Sequence, residues 1–474
     1  MERRDYKKEL SKEAEKLILA GYKDIVFFQP AYNIGGGPFI EAKMAEYLSE
    51  NTDLNVYFCD YENGYGATLI EKMPKVHLLK YQEESDVFPL QTKSIILTNS
   101  TRAILLQRMN PENKLLFWHY ETVLCGWHNV FLNNEQKKYF RLLKKNNAVV
   151  FHDWSGRDTI AKEYGIEFHN KDYFYITLDA KSSRASRNLV SRSEINVAFL
   201  SRLAKDKVCS LYYLIDNLVS YQTEKKKNLH IIGDGWVRAA VEEYCQRYKN
   251  EINFIFTGSI PHEQLDQYLI DNIDIVFGVG ACVLESAALS IPSAVLLIDT
   301  KLFNEEEAFW IYNTKEYCVG ILSQEKKDFN VTYTKIHNMI SHVYAPEGKE
   351  KEGNLCLQYF LENHTNKDKW ALDFLSSVNK TTLTFRKLKK LLKFVPYCKI
   401  SCINFRFLRL PIWKKIGFSR EAKGYFFGIP ILKIKFQKGL KKTYWLGINL
   451  YTSQIRRTYN FPAAQFKDGK KGKQ

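Results

Sequence analysis

At 474 residues the chain is too long for one ordinary domain and suits two, with an appendage. Its 45% apolar content supports large cores, and no run of ~18 apolar residues reads as a membrane-spanning helix. The formal charge of +16 is unevenly spread: residues 380–474 carry 24 Lys+Arg against only Glu421 and Asp468, a local +22, whereas residues 1–379, with 45 Lys+Arg and 51 Asp+Glu, sum to −6. Such a step marks a domain boundary near Asn379, between a mildly acidic body and a polycationic tail. The opening MERRDYKKELSKEAEKL is charged and helix-prone with no apolar core, unlike a signal peptide. Nine cysteines lie scattered, with Cys398 and Cys402 the only close pair, which fits reduced thiols better than a disulfide framework.

In chain order, Asp24-IVFFQPAY reads as a strand, followed by Gly35-Gly36-Gly37 and a helix whose apolar face includes Phe39, Ala42, Met44, Ala45 and Leu48. A glycine loop feeding a helix N-terminus offers N–H groups to an anion, so Gly36 and Gly37 are candidate binding residues. Further strands are expected at NVYFCDY, KSIILTNS, KLLFWHYE and NAVVFHDWS, making residues 1–181 a doubly wound, Rossmann-like domain. No full G-x-G-x-x-G with a distal acid is present, which argues against a dinucleotide dehydrogenase. SSRASRNLVSRS then reads as a linker.

Between Ile195 and Pro292 come NVAFLSRLAKDK, NLHIIGDGW, NFIFTGSIPHEQLDQYL and DIVFGVGACVLESAALSIP. An apolar run, a polar turn and an amphipathic helix, repeated at roughly 25-residue intervals, describe a parallel sheet with crossover helices, here over residues 194–344. Ligands bind such sheets beyond the strands' carboxyl ends. Arg202, Lys207, Gly233, Gly235, Gly258, Gly278, Gly280 and Glu285 fall there. The two cations suit a diphosphate, the glycines admit close backbone N–H groups, and the carboxylate can accept from ribose hydroxyls. Residues 350–378, with Trp370, Leu372 and Phe374, read as helical. The tail repeats with a 19-residue period: FLRLPIWKK, FFGIPILKIK and WLGINLYTS align so that Pro411, Pro430 and Asn449 coincide, as do Ile412, Ile431 and Leu450. Short β-rich units are expected there, with a hairpin turn at KGLKK between Ile434-Lys-Phe436 and Tyr444-Trp445.

The stretch 195–292 resembles the C-terminal half of a GT-B glycosyltransferase and is similar to glycosyltransferase family 4, of the type that assembles bacterial capsule, O-antigen or exopolysaccharide. Ser201-Arg-Leu-Ala-Lys-Asp-Lys207 matches the family's G-R-L-x-x-x-K-G, with Ser201 and Val208 in place of the glycines. Gly233-Asp-Gly235 matches its G-D-G, and Phe256 to Tyr268 its F-x-G motif. Of its E-x7-E only the second carboxylate is present, as Glu285; Phe277 stands at the first, a departure that polysaccharide-assembly members with a G-x-G-x-x-x-L-E loop resemble. The resemblance, which covers about 25–378, implies α/β, GT-B architecture: two Rossmann-like domains facing a cleft, crossover helices at 350–378, and a basic, β-rich appendage at 380–474. It implies that Arg202 and Lys207 grip the donor diphosphate, that Glu285 holds the ribose, and that Gly36, Gly37, Gly235, Gly258, Gly278 and Gly280 line the donor site. It also implies that His119, at a strand end, contacts the donor sugar, with Glu121, His152, Asp153 and Ser155 as weaker neighbours.

The expected activity is sugar transfer from a UDP- or GDP-sugar to a lipid-linked glycan, with retention of configuration and without a metal or other cofactor. Lysines interleaved with aromatic residues in 380–474 suit an anionic membrane surface, which places the enzyme peripherally on the cytoplasmic face of the plasma membrane. No nucleic-acid partner is expected, although cations and aromatics together leave that alternative open. Phe277 leaves a second alternative, an inactive GT-B scaffold. No Ser-His-Asp set, H-E-x-x-H or Walker A motif appears, so a hydrolase, metalloprotease or P-loop NTPase is unsupported.

Overall fold

The computed structural model describes residues 5–32, 35–82, 85, 87–106, 108–120, 133–168 and 173–392, together with strands between 402 and 454. Elements are numbered in chain order. Near-continuous apolar runs form the first sheet from β1 (Asp24–Phe28), β2 (Asn55–Asp60), β3 (Val76–Lys80), β4 (Ser94–Asn99), β5 (Lys114–His119) and β6 (Val149–Phe151). Their order is β3-β2-β1-β4-β5-β6, all parallel. Helices α1 (Tyr6–Leu19), α2 (Gly36–Asn51), α3 (Tyr65–Ile70), α4 (Asn133–Lys145) and α5 (Trp154–Tyr164) belong to this half. Strands such as β4, buried at every residue, show why the run is apolar rather than alternating: helices cover both faces.

The second sheet is built from β7 (Glu194–Leu200), β8 (Lys226–Ile232), β9 (Asn253–Gly258), β10 (Ile275–Gly278), β11 (Ser293–Val295), β12 (Glu307–Trp310) and β13 (Thr334–Lys335), in the order β13-β12-β11-β10-β7-β8-β9. It is parallel from β11 to β9; β12 and β13 add an antiparallel edge. Its helices are α6 (Lys205–Ser220), α7 (Arg238–Gln246), α8 (His262–Asn272), α9 (Ala281–Ala288) and α10 (Ile336–Tyr344). α11 (Gly348–Asn363) follows, and α12 (Lys367–Lys380) returns to the first half, where Phe374 stacks 5.8 Å from Phe27 and Asn379 Nδ2 donates to Glu13 Oε2 at 2.6 Å. Burial of Trp370, Phe374, Leu375 and Val378 stabilises this clasp, at about 1.5–3 kcal/mol per large apolar side chain.

The compact body ends at Leu391, beyond the charge step at Asn379. Leu383 accepts a backbone bond from Leu115 at 3.0 Å, and Leu383, Phe385 and Leu388 are buried, so α13 (Phe385–Leu392) begins as part of the body despite its basic composition. Among the described residues no helix is long and apolar enough to cross a membrane.

The tail forms an antiparallel six-stranded meander: β14 (Cys402–Phe407), β15 (Leu410–Gly417), β16 (Glu421–Phe426), β17 (Ile429–Gln437), β18 (Leu440–Trp445) and β19 (Ile448–Gln454). Each 19-residue repeat is one hairpin. Each shifts register once, opposite Pro411, Pro430 and Asn449, which leaves Ile412, Ile431 and Leu450 as the extra residue of a bulge. Proline cannot donate to a ladder, so it sits where the ladder is interrupted. β17 and β18 pair across the expected turn; its Lys438 and Gly439 lie outside the described residues.

Candidate functional site

In a doubly wound sheet, a crevice opens where the strand order reverses, and ligands bind there. The first sheet reverses between β1 and β4, the second between β7 and β10. Loops leaving these four strands line one cleft of about 1010 Å³ between the halves. It joins Gly36, Gly37 and Arg102 from the first half to Arg202, Lys207, Gly280 and Glu285 from the second. The first turns of α2, α6 and α9 open on it through Gly36, Asp206 and Ala281. Three helix N-termini and three cations give this rim an affinity for anions.

Arg202 is exposed, and among the described residues its guanidinium makes no ion pair; Lys207 Nζ lies 3.8 Å from Asp206. Gly233 and Gly235 do not line the cleft. A Cβ on Gly235 would overlap the Leu203 carbonyl oxygen, and one on Gly233 the Ser201 oxygen, so these glycines let the β8 loop support the Arg202 turn from behind. Gly258 accepts from the Gly233 N–H at 2.9 Å, and Gly278 packs against Leu200 and Cys282; both are likewise supporting residues. Gly280 differs. It adopts φ 88°, a left-handed conformation glycine tolerates, and nothing lies within 4 Å of a Cβ there, so it presents bare backbone to the cleft.

Glu285 is part-buried one turn into α9. Burial pushes its carboxyl up to about 7, countered by Lys181 and reinforced by Asp266, which pair with each other at 2.9 Å. Phe277, at the position of the family's first carboxylate, is fully buried within β10.

His119 is placed differently from expectation. Trp118 and Tyr120 line the cleft, whereas His119 between them is 0% exposed, with Nδ1 2.7 Å from Ser100 Oγ and its ring against Phe140 and Phe151. Alternation along extended backbone sends one residue inward when its neighbours face the cleft. Glu121 lies outside the described residues. His152 does reach the cleft, with Nε2 2.8 Å from Asp153, which caps α5 through the Gly156 N–H at 2.8 Å. Ser155 joins the halves: it and Thr159 donate to the two oxygens of buried Glu325 at 2.9 and 2.7 Å.

Beyond Gly36, Gly37 and His152, sequence reasoning missed the first half's remaining contribution. Asp60, at the end of β2, is fully buried and accepts from the N–H groups of Ala31, Tyr61 and Ala67 at 2.8, 2.7 and 3.1 Å, which holds the β1 loop in place. Burial raises its carboxyl and these N–H groups oppose the rise. Its signal was a carboxylate ending an apolar strand. Arg102 donates to the Pro30 carbonyl, and its charge moderates buried Glu41, whose carboxyl burial holds well above the usual range. Tyr32 and Tyr61 stack at 4.3 Å and 3°, and with Phe39, Tyr65 and Tyr120 make this wall aromatic; no sequence spacing marks it.

No family model matches the sequence, and no curated protein matches it. Among solved structures the chain is similar to HepE of Anabaena in complex with UDP and glucose, at a TM-score of 0.51 and 12% identity over 75% of this chain and 100% of that one. A second HepE structure, with UDP-glucose, gives 0.50 and 14% over 75% and 99%. The apo form of the lipopolysaccharide outer core galactosyltransferase WaaB gives 0.46 and 14% over 75% and 99%. The two-sheet body has the GT-B fold.

Proposed function

We propose that this chain transfers a sugar from a nucleoside-diphosphate sugar to a glycan acceptor. The observation that carries it is the meeting of Arg202, Lys207, the first turn of α9 and Glu285 at one switch point, opposite an aromatic wall. Arg202 and Lys207 neutralise the diphosphate and stabilise the charge it gains on leaving, which is charge stabilisation aimed at the transition state. That role supports metal-independent chemistry. Glu285 accepts from the ribose hydroxyls, and Gly36, Gly37 and Gly280 bring backbone to the phosphates and sugar. The acceptor lies against Tyr32, Tyr61 and Tyr120. Closure of the two halves excludes water. Transfer retains anomeric configuration, as the resemblance implies. HepE's complexes with UDP and UDP-glucose make a uridine donor the first to try. The acceptor is a lipid-linked glycan, met at the cytoplasmic face of a membrane to which the basic tail is drawn.

Buried Phe277 favours one second reading, an inactive GT-B scaffold. Thermal stabilisation by UDP-, GDP-, CMP- and TDP-sugars tests both. A ligand at a hundred times its Kd stabilises by about 2.7 kcal/mol. A selective rise in Tm that Arg202→Ala abolishes is expected; no rise with any donor overturns the transferase reading in favour of the scaffold.

A further inference from the structure

A nucleoside diphosphate accounts for Arg202 and Lys207 on the second half of the cleft, and it leaves Arg102 on the first half without a role. Arg102 stands in the 3-10 helix Ser100–Leu105, which follows β4, and lines the cleft. It donates from Nη1 to the Pro30 carbonyl in the segment after β1. That bond occupies a single N–H of the guanidinium and none of its charge. Among the described residues Arg102 forms no ion pair, and neither acid behind this wall replaces one. Glu41 is fully buried, and desolvation outweighs the nearby Arg102 charge to hold its carboxyl well above the usual range. Asp60 gives its oxygens to the N–H groups of Ala31, Tyr61 and Ala67. Beside Arg102 on the cleft, Gln29 is 1% exposed; its Nε2 donates to the Tyr120 hydroxyl and its Oε1 has no partner. In either orientation of this amide one end meets Tyr120 and the other stays open, and a ligand hydroxyl, which both donates and accepts, can serve it. Tyr32, 57% exposed, lies flat on Tyr61 and completes the wall with a broad aromatic surface.

We propose that this wall selects an acidic acceptor: a sugar bearing a carboxylate or phosphate, with the anion on Arg102, a hydroxyl on Gln29 and the ring against Tyr32. The proposal rests on the transferase reading and deepens it by naming the substrate class. Gln29 and Tyr32 follow β1 and Arg102 follows β4, so the pairing of these two strands brings the set together at the first sheet's switch point. The diphosphate is already served from the opposite wall by Arg202, Lys207 and the first turns of α6 and α9, so a cation on this wall answers to a second anion. The planar guanidinium fork matches the paired oxygens of a carboxylate or phosphate. A neutral glycan would cover the same charge and give it no partner, which selects against such an acceptor.

The test uses the full chain, saturated with the nucleoside diphosphate that stabilises it, and reads weak sugar binding by saturation-transfer NMR. The probes are methyl β-glucuronide, glucose 1-phosphate and methyl β-glucoside. At least one anionic probe is expected to bind about tenfold or more tighter than the neutral glucoside. Preference for the glucuronide alone assigns a uronic acid, and preference for the phosphate alone a phosphorylated sugar. Arg102→Gln should erase the preference, while Arg102→Lys, which keeps the charge and loses the fork, should restore it in part. Equal binding of all three probes, binding of none, or a preference unchanged in Arg102→Gln overturns the proposal. An Arg102-dependent rise in Tm that UDP-glucuronate gives beyond UDP-glucose also overturns it, by moving the anion to the donor sugar. The nucleotide-induced Tm shift should persist in Arg102→Gln and vanish in Arg202→Ala. A chain that no nucleotide stabilises marks failure of the transferase reading, which takes this proposal with it; a stabilising nucleotide with no anion preference sinks this proposal alone.

Discussion

Replacing Glu285 with Gln should stabilise the unliganded protein, increasingly from about pH 4.5 upward and in full above about pH 7. The carboxyl sits at about 7 in the folded chain because burial penalises its charge, against an ordinary value of 4.5. A raised carboxyl leaves its stabilising contribution whole below about pH 4.5 and loses it progressively up to about pH 7. The difference corresponds to a penalty of about 3 kcal/mol once both states are ionised. Glutamine keeps the shape and remains neutral, so its advantage grows from nothing near about pH 4.5 to about 3 kcal/mol above about pH 7. Thermal melts of wild type and Glu285→Gln across this range measure it, as a Tm gap of a few degrees. A donor whose ribose needs the carboxylate should bind wild type more weakly as pH falls through 7 and should bind the variant poorly throughout. A Tm gap that is independent of pH, or absent above neutrality, would refute the argument that Glu285 is held in a desolvated site.

Gly235→Ala should cost roughly 2–3 kcal/mol, because the new methyl meets the Leu203 carbonyl, and should also lose the donor-induced Tm shift as the Arg202 turn is displaced. Asp60→Ala strips the buried N–H of Ala67 and the part-buried N–H groups of Ala31 and Tyr61 of their acceptor; a loss of about 1–3 kcal/mol is expected in denaturant melts, with faster hydrogen exchange at Ala31 and Ala67. Tyr32→Ala removes a 57% exposed ring, so stability should hold while the acceptor KM rises roughly tenfold and donor binding stays unchanged. Glu325→Ala leaves the Ser155 and Thr159 hydroxyls without their shared carboxylate; a loss of about 2–3 kcal/mol and increased exchange in α5 are expected.

Much of the second half was legible in the chain. Ile195–Leu200, Leu229–Ile232 and Ile275–Phe277 are apolar runs that only a sheet covered on both faces needs, and the polar residues after them had to fall at strand ends. The 19-residue period likewise marked the tail hairpins, since proline at the same place in the first two repeats requires a ladder break there, and the third repeat breaks at the equivalent Asn449. Local sequence also limited Gly280 to a turn. Which strand ends meet is a different matter, because strand order is non-local. Arg202 and Gly280 are neighbours only because β7 pairs with β10, and Gly36 lies near Arg102 only because β1 pairs with β4. The same packing turned His119 into the core between two cleft residues, assigned Gly233 and Gly235 to supporting a turn, and stacked Tyr32 on Tyr61 from separate loops. The titration of Glu285 belongs wholly to the tertiary structure: solvation and the charges of Lys181 and Asp266 set it, and neither residue is near it in sequence.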